Sequence, residues 1–119
     1  MGDFDTLVFL EDAGVLLNIE CKYVVFAQTP RDALTQAQYY FDQTSRQKYL
    51  AKVEKRHDYF EKNTQKVFAS MAWAMPKNGV KVVSIIVVNQ LYSWMRFPLK
   101  PTHIKFMDLP RLKDYLDNL

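Results

Sequence analysis

Between Val82 and Val88 every residue except Ser84 is β-branched and apolar. A strand with one wet face alternates apolar and polar residues, whereas one covered on both faces has no reason to alternate. The run therefore reads as an interior strand, so the rest of the chain must supply neighbours at its edges and helices or loops over its faces. It is far shorter than the roughly 20 residues that span a bilayer. The first residues, Met1 to Asp5, are acidic where an export signal would be basic. Neither membrane insertion nor export is expected, and the expected setting is cytoplasmic.

The candidate neighbours fall in a definite order. Residues 6–10 are apolar and β-prone, residues 11–14 (Glu-Asp-Ala-Gly) have turn chemistry, and residues 15–22 return as a second strand, which predicts a hairpin. Strand alternation puts Val15, Leu17, Ile19 and Cys21 on one face and Leu16, Asn18, Glu20 and Lys22 on the other. Residues 23–27 either extend this strand or bend away from it. Thr29 and Pro30 mark a helix start running to about residue 42. Thr44 or Ser45 then caps a second helix through residue 62, and a third is expected over 63–74. Pro76, Asn78 and Gly79 end the helical region. Residues 92–101, aromatic with two prolines, read as a loop packed on the core, and 103–107 as a short last strand. A terminal helix opens at 108–110, with Leu112, Tyr115, Leu116 and Leu119 at helical spacing. The expectation is an α/β fold, a small mixed β-sheet with flanking helices.

The chain of 119 residues suits one domain, residues 1–119, and its 49% hydrophobic and 24% charged residues suit a soluble globular one. The single cysteine, Cys21, excludes an internal disulfide, and with two histidines it cannot build a zinc cage. A net charge of +3 and a pI near 9.0 favour an anionic partner without identifying it.

Hydrolysing a phosphodiester requires offsetting the charge that builds on phosphate, holding a water for attack and stabilising the leaving oxygen, most of which a divalent metal supplies. Magnesium prefers hard oxygen ligands. Asp5 and Glu20 offer two carboxylates on adjacent strands, and the backbone carbonyl of Cys21 offers a further oxygen. Lys22 lies on the face of Glu20, where it can orient the water or neutralise the phosphate.

The stretches Gly2-Asp3-Phe4-Asp5, Gly14 and Ile19-Glu20-Cys21-Lys22 resemble the PD-(D/E)XK nuclease superfamily, in particular its nuclease-related and RecB-like members. Glu20-Cys21-Lys22 stands as the (D/E)XK element and Asp5 as the first metal-binding aspartate, with Asp3 at the place of a less essential acid. Gln36 and Tyr40 match the Gln-X-X-X-Tyr element of such members, on the helix after the Glu-X-Lys strand. The resemblance covers about a third of the chain. It implies a restriction-endonuclease-like core that here lacks an N-terminal helix. It also implies a Mg2+- or Mn2+-dependent nuclease cutting DNA to leave 5′-phosphate and 3′-hydroxyl ends. Asp5, Glu20, Lys22 and Gln36 would be catalytic, and Tyr40 would contact DNA or support the site. The helix that many members place before the first strand would have to come from a second copy in a homodimer or from an adjoining domain, as in a domain excised from a longer protein.

Between Arg46 and Lys66 basic residues outnumber acids, with Tyr49, Tyr59 and Phe60 interleaved. Lys48 and Lys52 are the candidates there for a nucleic-acid backbone, and most of the other charges read as a solvated helix face. Cys21 reads as a small core residue, and His57 and His103 as partners of local structure rather than ligands or bases. Trp73, Trp94 and Phe97 read as core or an association surface. Two other functions fit the same residues: a catalytically silent nuclease-like module that binds nucleic acid or a protein, and a structural domain that dimerises through its aromatic loop.

Overall fold

The computed structural model describes residues 4–22, 29–32, 34–35, 49–89 and 103–119, with backbone alone at residues 4, 5 and 49. Strands β1 (Phe4–Leu10) and β2 (Val15–Lys22) form the predicted hairpin, antiparallel and in unbroken register from Phe4 opposite Cys21 to Leu10 opposite Val15. The turn closes where the Gly14 N–H donates to the Glu11 carbonyl at 3.2 Å. Gly14 sits there at φ +65°, a left-handed conformation that costs a side-chain-bearing residue strain.

Strand β3 (Lys81–Val88) lies parallel to β2, and β4 (Lys105–Met107) parallel to β3, giving the mixed order β1-β2-β3-β4. Parallel neighbours require a long crossover. The one between β2 and β3 holds helices α1 (Tyr49–Lys62) and α2 (Thr64–Ser70), and residues 30–32 and 34–35 within it are also helical. Helix α3 (Leu109–Asp117) follows β4. The readings of residues 23–27 and 92–101, and of Trp94 and Phe97, lie outside the described residues. Among the described residues no helix is long and apolar enough to cross a membrane.

The β3 run is buried from Val82 through Val88, as an interior strand requires. On one face Val15, Leu17, Val83, Ile85 and Val87 pack with Cys21 and Met107 beneath Leu112 and Tyr115 of α3. On the other, Leu16 and Val82 pack with Leu7, Phe9 and Phe60 and with Val67 and Phe68 of α2. Phe68 is fully buried, its ring edge-on to Phe9 at 4.7 Å and to Trp73 at 5.6 Å.

Two expectations are corrected. Helix α2 stops at Ser70 rather than continuing to residue 74, because Ala72 turns left-handed at φ +57° and the Trp73 N–H reaches back to the Phe68 carbonyl at 2.9 Å. This six-to-one closure folds Trp73 over the aromatic cluster. In α3 the Asp108 carboxylate accepts from the Arg111 N–H, capping the helix as its sequence suggests. Leu116 and Leu119, however, are exposed and line an open cleft with Phe9, Leu10 and the hairpin turn, so Leu112 and Tyr115 alone of the predicted stripe join the core.

Phe68→Ala should cost about 3–5 kcal/mol in urea denaturation, since it empties the centre of the aromatic cluster; a loss under about 1 kcal/mol would contradict this packing.

Candidate functional site

The face of the sheet beneath α1 and α2 changes character along its length. At the turn end Leu16 and Val82 are register partners in an apolar cluster. Two residues further on, Asn18 stands opposite Ser84, and two further again Glu20 stands opposite Ile86, with Lys22 opposite Val88. Asn18, Glu20 and Ser84 are all buried, as is His57, which α1 lowers onto them. Buried polar groups need partners, and three of these four find one another.

The Asn18 amide Nδ2 donates to Ser84 Oγ at 3.2 Å, and Ser84 Oγ lies 2.7 Å from His57 Nδ1. His57 Nε2 faces Glu61 Oε1 at 3.4 Å. One arrangement uses every proton: the Ser84 hydroxyl donates to Nδ1, leaving the ring proton on Nε2 to point at Glu61. The order serine, histidine, carboxylate is that of a hydrolytic triad, but Ser84 is 0% exposed in the middle of β3, where its oxygen has no room to meet a substrate. The network fastens α1 to the sheet instead. The exposed His103 stacks on His57 with ring centroids 6.2 Å apart, tying in the approach to β4 as well.

Fastening His57 aims the residue before it. Arg56 Nη1 lies 3.3 Å from Glu20 Oε1, with the Arg56 side chain one-third exposed and that of Glu20 only 6% exposed. A carboxylate removed this far from water requires positive charge nearby. The hairpin register also places Asp5 directly opposite Glu20, and residues opposed across an antiparallel pair belong to one face of the sheet. Lys22, half-buried, follows two residues after Glu20 on that face.

Of the residues singled out in the sequence, Glu20 and Lys22 share the carboxyl end of β2, and the backbone register sets position 5 opposite Glu20. Cys21 faces the opposite side, in the cluster beneath α3, as alternation predicted. Lys52 is exposed on α1, one turn before Arg56. Asp3, Gln36, Tyr40 and Lys48 lie outside the described residues. Arg56, His57, Asn18 and Ser84 were not foreseen as parts of the site. Their one sequence signal was paired: a lone serine in an apolar run, and an asparagine on the strand face that carries Glu20.

Among the described side chains no group of three or more His, Cys, Asp and Glu stands together as a metal cage. Two carboxylates with supporting water and carbonyl oxygen suit a hard cation such as Mg2+, which keeps much of its hydration. No family model, curated protein or solved structure matches the chain.

Ser84→Ala leaves the Asn18 amide and the His57 ring short of a buried partner and should cost about 1–3 kcal/mol. A chemical denaturation midpoint unchanged from wild type would show that the network does not fasten α1.

Proposed function

We propose that this chain is a divalent-metal-dependent DNA nuclease of the PD-(D/E)XK type, with a restriction-endonuclease-like core. The observation that carries the reading is the hairpin register: Asp5 directly opposite Glu20, with Lys22 two residues on. That register supports the reading by setting position 5 beside Glu20 at the end of the strand that carries Lys22. The site lies at the carboxyl ends of the parallel strands β2 and β3, where α/β sheets place their ligands.

In this reading Asp5, Glu20 and the Cys21 carbonyl would hold Mg2+ or Mn2+. The bound cation would supply Lewis-acid stabilisation of the phosphate and lower the pKa of the attacking water. Lys22 Nζ orients that water by hydrogen bonding and offsets charge on the phosphate oxygens as the new bond forms. Gln36 completes the site, while Tyr40, Lys48 and Lys52 contact the nucleic-acid backbone. The products are 5′-phosphate and 3′-hydroxyl ends, and the working compartment is the cytoplasm.

One observation favours a second reading. Arg56 already meets Glu20, as a resident cation would in a catalytically silent module that binds nucleic acid or a protein without metal.

Cleavage of plasmid and linear DNA separates the two. With Mg2+ or Mn2+ the wild-type chain should cut, and Glu20→Gln and Lys22→Ala should each lower kcat by about 10²-fold or more with the circular dichroism spectrum unchanged. Wild-type protein that leaves DNA intact with either cation, or variants that cut at the wild-type rate, would overturn the nuclease assignment.

A further inference from the structure

The Glu20–Arg56 contact sets two demands against each other. Glu20 is buried and needs a cation, yet a divalent ion and a guanidinium on one carboxylate repel each other. The two partners are not equally able to move. Glu20 is held buried on the interior strand β2, whereas Arg56 is one-third exposed at the end of a long side chain on α1. The arginine is therefore the group that yields.

The surface of α1 shows where it would go. The buried stripe of this helix is Leu50, Val53 and His57. At 100° per residue, Lys52 and Arg56, spaced i,i+4, lie on one flank of that stripe. Glu54, Asp58 and Glu61, spaced i,i+4,i+7, lie on the other. The flank toward Glu20 is thus the basic one, and the acids stand on the His57–Glu61 side. An anion approaching the carboxyl end of β2 meets Lys52 and Arg56 rather than the acidic stripe. Of the two, the guanidinium has the planar fork that binds a phosphate diester through paired oxygens.

We propose that Arg56 is a substrate-contacting residue of this site, held at rest by Glu20 and transferred to the DNA phosphate when a divalent cation takes the carboxylate. The proposal rests on the nuclease reading and adds an order of events to it. Metal entry and phosphate capture become coupled, because the one releases the side chain the other requires. The Glu20–Arg56 pair is then the resting form of an active site rather than the mark of a silent one.

The test uses the full chain as wild type, Arg56→Gln and Glu20→Gln. Calorimetry with Mn2+ measures cation affinity, and cleavage kinetics at saturating Mn2+ separate KM from kcat. Without its competitor, Arg56→Gln should bind Mn2+ about tenfold more tightly than wild type, while its KM for DNA rises about tenfold. A Glu20-dependent affinity equal in wild type and Arg56→Gln overturns this inference alone, and so does tighter binding with an unchanged KM. An affinity that Glu20→Gln leaves unchanged, or a wild-type chain that binds no Mn2+, overturns the metal reading and this inference with it. Should Arg56→Gln not fold, the wild-type Arg56 Nε–H resonance decides: Mg2+ should accelerate its solvent exchange, and exchange unaltered at saturating Mg2+ overturns the proposal.

Discussion

Burying a carboxylate costs several kcal/mol unless positive charge and hydrogen bonds meet it, and the elements around Glu20 are disposed to meet that cost. Glu20 stands in β2, an interior strand with β1 on one side and β3 on the other, so solvent cannot reach it along the sheet. Its charge is answered from above, by Arg56 on α1. Arg56 reaches it because the next residue, His57, is bonded to Ser84 on the neighbouring strand. Ser84 in turn is held by Asn18, two residues before Glu20 on the same face of β2. A loop of short polar contacts therefore runs from β2 across β3 and α1 and back to β2, and the position of the guanidinium depends on all of it.

The same face does different work at its two ends. Near the turn, Leu16, Val82, Phe68 and the rings of Phe9 and Trp73 form an apolar cluster at whose edge Trp73 is half-buried. That end supports the fold. The Asn18–Glu20–Lys22 end exchanges part of that apolar contact for hydrogen bonds and charge, whose net contribution to stability is smaller. Clefts among the described residues open at the turn end, one lined by residues 11–14 and 76–81, and their acids Glu11 and Asp12 are exposed to water. Exposed carboxylates of that kind attract cations weakly and without fixed geometry, in contrast to a carboxylate buried as Glu20 is.

Much of this was legible in the chain. The Val82–Val88 run required an interior strand, and a glycine turn between two β-prone stretches required the hairpin. Period-two alternation separates Cys21 from Glu20 and Lys22, and the order of elements gives the α/β class. What stayed hidden depended on contacts far apart in sequence. Nothing local in the charged segment from Arg46 to Lys66 distinguishes Arg56 from its basic neighbours, because its partner lies 36 residues away across a crossover. The Ser84 partner of His57 is not legible locally because it is 27 residues distant, on β3 beneath α1. The early end of α2 was invisible for another reason: the residue that turns left-handed is Ala72, where a glycine would have announced the stop.

The central claim is that Asp5 and Glu20 define a cation position at the carboxyl end of β2. Paramagnetic Mn2+ titrated into isotopically labelled protein reports that position directly, since it broadens the amide resonances nearest the bound ion first. The account predicts early, saturable broadening at Asp5, Glu20 and Cys21, and its loss in Glu20→Gln. Broadening that begins instead at Glu11 and Asp12, or that spreads over the acidic surface without saturating, would contradict it.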